Sequence, residues 1–566
     1  MKKKGKLAIA LMVIIIAGIY YYVALPAFNI HSSETWFFIM ALAVIGLVYY
    51  TMRKKPGKGA FKTDKGFRSI LTVLLALGVI YLVGTLLSSP IVNAKKYQKL
   101  MKVQEGEFAD DVEELSFDKI PILDRDTAAI LGDRKMGSMV DMVSQFEADE
   151  IYSQINYKDN PVRVSPLRYA SPIKWLTNHR AGIPAYIRIN MATQSTELVK
   201  LEEGMKYTTS DYFNRNIYRH LRFAHPTYIY GELSFEIDEQ GVPYWIAPVK
   251  KYNIGLFGGE TVGKVVLCNA ITGETKTYKI DDVPQWVDRA YSADLLVQLF
   301  DYYGTLKHGF LNSVLSQKDC LETTDGYNYL ALDDDVWMYT GVTSVNGDQS
   351  NVGFVLSNQR TMETKYYKVE GATEASAMSS AEGQVQNLKY KATFPLLLNI
   401  SDEPTYFIAL KDDAGLVKKY AMVNVQKYQI VAIGDSVSQC EENYLELLMS
   451  SGVKKEEEDT REVKTITGKI TKIAQAVLEG TSHYYLMVEG SDDIFDLSVV
   501  DFLDVVRCEV GQEITMEYKE DEKANTVMSL TIDGVAQGKA EEEEEEKEAD
   551  PTEVTPLEDE AKEVTE

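Results

Sequence analysis

Residues 269–280 read NAITGETKTYKI, and the same frame returns at 358–369 as NQRTMETKYYKV and at 190–201 as NMATQSTELVKL. Each copy opens on an asparagine (Asn190, Asn269, Asn358), carries a threonine three residues on (Thr193, Thr272, Thr361), and places a lysine ten residues after the asparagine (Lys200, Lys279, Lys368). In the middle copy, VGKVVLCNA is a β-branched run that reads as a strand, ITGE holds the Gly273 and polar residues of a turn, and TKTYKI alternates back. Asparagine at a strand end and threonine beside it both hydrogen-bond turn backbone, so turn chemistry outweighs ligand binding for these residues. The frames begin 79 and then 89 residues apart, a period that suits one supersecondary unit repeated.

The repeat has a wider frame. An extended segment precedes each hairpin (NPVRVSP at 160, VPYWIAPV at 242, GYNYLALDDDVWMYTGV at 326), and a helical pattern precedes that (MGSMVDMVSQFEADE at 136, SDYFNRNIYRHLRF at 210, SADLLVQLFDYYG at 292). A fourth, weaker copy runs through ASAMSSAEGQVQNL at 375, EPTYFIALKD at 403 and KKYAMVNVQKYQIVA at 418, without the threonine.

The chain of 566 residues is too long for a single core. Three apolar runs dominate its start, at 7–28, 35–52 and 69–92, each near the roughly 20 residues that a bilayer-crossing helix needs. MKKKGK precedes the first and RKKPGKGAFKTDKGFR separates the second from the third, whereas NIHSSE between the first two has no Lys or Arg. The positive-inside rule therefore puts the N-terminus in the cytoplasm and everything after about residue 93 outside. The lysines of NAKKYQK argue the other way, but two basic segments outweigh one. Residues 1–92 hold eleven Lys or Arg against Glu34 and Asp64, a net of +9, which leaves −34 for the remainder of a chain whose total is −25. Such a polyanion repels nucleic acid and anionic lipid, so no nucleic-acid partner is expected.

FEIDEQGVPYWIAPV followed by VVLCNAITGE resembles a PepSY-type module, whose last strand ends in an Asp-Ala-x-Thr-Gly-Glu hairpin. Ala270, Thr272, Gly273 and Glu274 match that ending, with Asn269 where the family usually has Asp. Through phrases such as DRDTAAILGDRKMG and DDVPQWVDRAY, residues of about 120–435 resemble a family of membrane-anchored proteins of Gram-positive, clostridial-type bacteria with PepSY-like repeats. The resemblance implies extracytoplasmic regulation or inhibition of peptidases and brings no catalytic residues.

From 461 to 534 short alternating strands with glycine-bearing turns (VKTITGKITKIAQAVLEG, SHYYLMVEGSDDIFDLS, GQEITMEYKE, TVMSLTID) are similar to a small OB-type β-barrel. It lacks the basic groove with stacked aromatics of a nucleic-acid binder. The expected fold is thus membrane-anchored α+β: a three-helix transmembrane anchor (1–92), a connecting segment (93–135), PepSY-like helix-plus-antiparallel-sheet modules at 136–207, 208–290, 291–372 and 373–450, a linker (451–460), the barrel (461–534) and a disordered acidic tail (535–566).

Candidates for chemistry are few. Gly258, Gly263 and Lys264 in GGETVGKV satisfy part of a phosphate-loop pattern, but Val265 stands where Ser or Thr must be and a strand follows, so no nucleotide is expected. LDDDVW with a later aspartate (Asp333, Asp334, Asp335, Asp348) offers cation ligands without EF-hand spacing. Asp124, Asp126 and Asp133 lie beside Arg125 and Arg134, which favours ion pairs over a hydrolytic centre. His220 and His225 are five apart and do not share a helical face as a zinc pair would. Cys268, Cys320, Cys440 and Cys508 are scattered, which favours buried thiols and leaves one long-range bridge open. No catalytic constellation and no cofactor are indicated. The sequence points to a non-catalytic protein, integral to the membrane, that binds or regulates another envelope component, a protein or peptidase. The alternatives are a cation-dependent hydrolase using Asp124, Asp126 and Asp133, and a structural spacer.

Overall fold

The computed structural model describes residues 2–54, 64–114, 119–332, 334–344, 350–453, 463–478, 481–491, 493–519, 524–532 and 535–538. The linker from 454, most of the basic loop after Lys54, Asp333, Asp348 and the acidic tail lie outside them. The chain is mixed α+β and divides into two units, Met1–Lys454 and Lys455–Glu566.

Helices Lys2–Ala24, Ser33–Lys54 and Lys65–Ser88 open the first unit. The stretches Ser33–Met52 and Lys65–Ser88 are long and apolar enough to cross a membrane, and 6% and 0% of their most apolar windows are buried. Their apolar faces are therefore not used in a protein core, which is where a soluble protein would put them. In the first helix, Ile14–Ala24 is a shorter apolar stretch.

Four helix-plus-meander units follow. The first has helix Arg125–Gly137 and strands Asn160–Tyr169, Ile183–Asn190 and Thr196–Met205, with Phe146–Ala148 and Ser153–Tyr157 both paired to the first of these. The second has helix Ile217–Ala224 and strands Ser234–Ile237, Pro243–Ile254, Gly258–Asn269 and Thr275–Lys279. The third has helix Ala293–Thr305 and strands Leu321–Thr323, Asn328–Leu332, Asp335–Ser344, Gly353–Asn358 and Thr364–Tyr367, to whose edge the distant strand Val103–Gly106 adds in parallel. The fourth has helix Glu374–Gln384, strands Lys391–Ala392, Leu396–Ile400, Glu403–Lys411, Val417–Asn424 and Val431–Gly434, and a closing helix Val437–Ser450.

Local sequence accounts for the helix starts. Asp124, Asn216, Ser292, Thr373 and Ser436 each accept a backbone N–H of the first turn, supplying a partner that a helix end lacks. The first helix corrects the sequence expectation. It lies over Arg125–Gly137, within the expected connecting segment, while residues after 137 turn and Phe146–Ala148 is a strand. Its buried side is Thr127, Ala128, Gly132 and Met136, residues too small and too polar to make an apolar stripe.

The repeated asparagines have one geometry. The Asn269 carboxamide oxygen accepts from the amides of Ile271 and Thr272 (both 2.9 Å), Thr272 Oγ1 accepts from Glu274 N (3.2 Å), and Asn269 N donates to Glu274 O (3.0 Å). Asn190 with Thr193 and Asn358 with Thr361 repeat every one of these bonds. In each copy the residue before the asparagine pairs with the residue six after it: Ile189 with Thr196, Cys268 with Thr275, Ser357 with Thr364. In each, the residue four after it is left-handed, at φ of 61° for Gln194, 77° for Gly273 and 65° for Met362. Asn424 makes the same two side-chain bonds, to Gln426 and Lys427, in a loop one residue longer that pairs Val423 with Val431.

The meanders are packed on both faces. All six residues of Gly353–Asn358 are buried, as are the central seven of Glu403–Lys411. One apolar cluster takes in Ile187, Trp245, Tyr339 and Tyr406, one from each meander, and a second joins Val265 and Leu267 to Phe300 and Val355. The second unit stands on its own core, including Leu486, Phe495, Met516 and Leu530. Strands Val463–Leu478, Thr481–Val488, Phe495–Ser498, Glu513–Lys519 and Asn525–Ile532 form a five-stranded barrel, closed by the parallel pairing of Phe495 with Asn525 and Asp496 with Thr526.

Three substitutions test the turn geometry. Asn269→Ala removes two backbone partners and lowers stability by about 1 kcal/mol, whereas Asn269→Asp keeps the acceptor and is tolerated. Gln194→Gly relieves a left-handed side-chain residue and is neutral or stabilising, by up to about 1 kcal/mol. Denaturant midpoints of the purified chain measure all three; equal loss for Asn269→Ala and Asn269→Asp would show that the side-chain acceptor is not what matters.

Candidate functional site

The acids singled out from sequence are taken up by the fold. Asp124 caps its helix through Thr127 N and receives Lys411 Nζ at 2.5 Å. Burial raises its pKa, but Lys411 and Thr127 outweigh this, and the carboxyl is held below its usual value. Its ion-pair partner is therefore Lys411, from a strand far along the chain, while Arg125 donates to the Glu150 carbonyl. Asp126 and Asp133 are exposed on the helix surface. Asp335 is gripped by Arg360 through both oxygens (2.7 Å each) and accepts from Asn358 Nδ2 at 2.8 Å; Asp334 accepts from Asn156 Nδ2. Among the described residues no group of three or more His, Cys, Asp or Glu is placed to hold a metal ion.

GGETVGKV forms the start of strand Gly258–Asn269. His220 Nε2 meets the Gly273 carbonyl at 2.7 Å, tying the helix of the second meander to its hairpin, and His225 stacks on Tyr228. All four cysteines are buried, Cys268, Cys320 and Cys440 as free thiols. Burial pushes the Cys268 and Cys440 thiols up to about 12, so both are protonated and unreactive.

The site that sequence reasoning missed lies where the first three meanders meet. The segment Asp288–Tyr291 is fastened from three directions. Glu236 of the second meander accepts from the amides of Asp288 (2.9 Å) and Arg289 (3.2 Å), Asp288 accepts from Asn156 N of the first (2.8 Å), and the Gln359 carbonyl of the third accepts from Ala290 N (3.1 Å) and Tyr291 N (2.7 Å). This fixes Arg289 in the wall of a cavity of about 470 Å³. Arg163 and Gln154, cross-strand neighbours of the first meander, form another part of the wall, and Tyr327, Tyr329 and Gln359 of the third complete it. An adjoining cavity of about 230 Å³ shares Arg289, Glu232, Leu233 and Asp294.

Arg163 is the unusual member. It is 6% exposed, its terminal nitrogens make only long contacts, to Tyr152 O (3.4 Å) and Gln154 Oε1 (3.3 Å), and its Nε has no partner. Among the described residues no carboxylate lies within ion-pairing distance of Arg163 or Arg289. Burial moves the Arg163 pKa down to about 10 against the attraction of Tyr329 and Asp124, with Arg289 and Arg125 adding repulsion, so the group stays charged at neutral pH. Gln154 Nε2 and Gln359 Oε1, both buried, are also unpartnered. The cavity thus gathers three guanidinium groups (Arg125, Arg163, Arg289) and three carboxylates (Asp124, Glu232, Asp294), with a free amide donor and a free amide acceptor beside tyrosine rings.

Behind the cavity, Glu236 and Asp288 form a buried carboxyl pair, each pushed above its ordinary value by burial, with Glu236 adding repulsion to Asp288. Asp288 Oδ1 has no acceptor or donor partner. A carboxyl whose folded pKa is raised weakens the fold progressively as pH climbs from its unfolded pKa towards the folded one. Asp288→Asn, permanently neutral and able to keep the Asn156 bond, therefore raises the melting temperature at pH 8 and flattens its fall between pH 5 and pH 8. Unchanged pH dependence in a melting series would show that Asp288 does not titrate differently in the folded state.

A scan against protein-family models finds no match to the chain, and a search of curated proteins finds none.

Proposed function

We propose that the chain is a multi-pass membrane protein, N-terminus in the cytoplasm, whose PepSY-like modules and OB-type barrel stand outside the cell and act without catalysis, binding or regulating another envelope component, a protein or peptidase. The observation that carries the reading is the junction cleft, where Arg163 is buried without a direct ion pair and neighbouring amide groups are left without partners. An unpaired buried charge costs several kcal/mol and is retained where something else must meet it.

The seating of the second meander on the apolar helices supports the membrane part of the reading. Ser88 Oγ, at the end of the third helix, accepts from Leu256 N (2.8 Å) and Phe257 N (3.1 Å) at the tip of the Pro243–Ile254 hairpin, and Phe257 packs against Trp36 and Tyr81. Arg222 donates to the Leu25 carbonyl after the first helix, and Phe28 N donates to Pro226 O. Three helix ends thus meet one face of the folded unit, the arrangement that three successive crossings produce. Trp36, Tyr81 and Phe257 are the aromatic types that favour a membrane–water boundary. The hydrolase alternative loses ground because Asp124 already serves as a helix cap and as the partner of Lys411.

Protease shaving of intact cells that carry one epitope before Lys2 and one after Glu566 tests the topology: loss of the second alone is expected, and protection of both until lysis would contradict it. Photo-cross-linking from position 329 at the cleft, in the same cells, should trap an envelope component. An equal yield from exposed position 140, on the first meander's connecting turn, would argue against the cleft as the binding surface.

A further inference from the structure

The junction cleft carries enough chemistry to name the class of group it receives. Arg163 Nε and Gln154 Nε2 are buried donors without acceptors, and Arg289 lines the same cavity with no direct ion pair among the described residues, although Glu232 and Glu236 act on it from nearby. Two like charges held near each other in a cavity repel, and an anion between them removes both that repulsion and the desolvation of Arg163. The acidic side chains around the cavity restrict what the anion can be. Glu232 and Asp294 are exposed, line both this cavity and the adjoining one, and with Asp124, which lines this cavity as the partner of Lys411, would repel a doubly charged group. They suit instead a ligand that has a positive group within reach of its negative one. Gln359 Oε1 offers a free acceptor to an N–H, and the rings of Tyr327, Tyr329 and Phe394 offer apolar wall for a small side chain. A cavity of about 470 Å³ is within the ordinary range for small ligands, and the shared residues of the adjoining cavity leave a path for a longer chain.

We propose that the cleft binds the terminal carboxylate of a short peptide or of a protein's chain end, with Arg163, Gln154 and Arg289 on the carboxylate and Glu232 and Asp294 facing the ligand's positive charge. This rests on the binding reading given above and adds the chemical class of the ligand. A carboxylate accepts planar, paired hydrogen bonds from guanidinium and carries a single charge, which matches the donors present.

The test uses the full chain in lipid nanodiscs, with L-alanyl-L-alanine, its C-terminal amide and inorganic phosphate as probes at equal millimolar concentration, followed by thermal melting and titration calorimetry. The dipeptide should raise the melting temperature and give heat, and the amide and phosphate should do neither. Arg163→Met should abolish the dipeptide shift while melting, without probe, at or above the wild-type temperature, because it replaces an unpaired buried charge by apolar volume. Arg289→Met, at a largely buried position where methionine keeps the apolar stem, should weaken dipeptide binding at least tenfold with the fold intact. Phosphate binding in preference to the dipeptide, or no dipeptide binding by the wild type, overturns the assignment. So does a large loss of probe-free stability in Arg163→Met together with unchanged dipeptide binding in Arg289→Met, since the arginines would then be structural. If dipeptide binding fails while the cross-link from position 329 persists, the carboxylate assignment falls and the binding reading stands; if both fail, both fall.

Discussion

Everything in the first unit depends on one constraint: a meander of four to six strands with one or two short helices cannot cover both faces of its own sheet. The central strands Gly353–Asn358 and Glu403–Lys411 are nonetheless buried on both faces. An antiparallel sheet can leave one face in water, and these do not, so neighbouring meanders supply the cover. The apolar cluster that runs through Ile187, Trp245, Tyr339 and Tyr406 is the result. The asparagine turns serve this packing. A slip of one residue at the hairpin would turn every buried side chain outward, and the asparagine oxygen, held by two amides, fixes the register that prevents it.

Packing sheets this way makes junctions, and junctions bring backbone and charge into the interior. Around Asp288 and Arg289 the backbone amides are accepted by Glu236 and Gln359 of the second and third meanders, and the Asp288 carboxylate accepts the Asn156 amide of the first. The same crowding leaves Glu236 and Asp288 together without a buried cation in ion-pairing contact, and Arg163 without an anion. Ionisable groups of both kinds are thus buried at the junction without a direct ion pair. A fold selected only for stability would pair them or replace them with apolar groups. The cleft is where the molecule departs from that rule, and it lies in the unit whose hairpin tip rests on the apolar helices.

Much of the architecture was legible in the sequence because it is local. The Asn-x-x-Thr frames, the strand runs beside them, the helix opened by Ser292 and the apolar runs near the N-terminus all signal within a dozen residues. The closed barrel after residue 461 was legible from alternation alone. The first helix was not, because its buried residues are Thr127, Ala128, Gly132 and Met136, whereas Met139, Val140, Met142 and Val143 imitate a helical face and in fact lie in the turns that follow the helix. Strand Val103–Gly106 was hidden because its partner, Thr364–Tyr367, lies far along the chain. The cleft was hidden for the same reason. Arg163 sits in NPVRVSP, where a charge in a strand reads as solvent-facing, and only docking against Arg289 and Tyr329 from other units encloses it. The acidic clusters drew attention because they are contiguous in sequence, yet Asp335 and Asp124 prove to be partners of Arg360 and Lys411.

The central claim is that the four meanders form one cooperative body because they share faces, and one measurement addresses it directly. Native-state hydrogen exchange of the full chain, read by mass spectrometry over a denaturant series, gives an opening free energy for each strand. The account predicts that Pro243–Ile254, Gly353–Asn358 and Glu403–Lys411 merge onto a single global opening, with Val463–Leu478 of the barrel free to follow its own. Separate opening of the second, third and fourth meanders, each with its own denaturant slope, would mean that the sheets are stable alone, and would contradict the shared-face account.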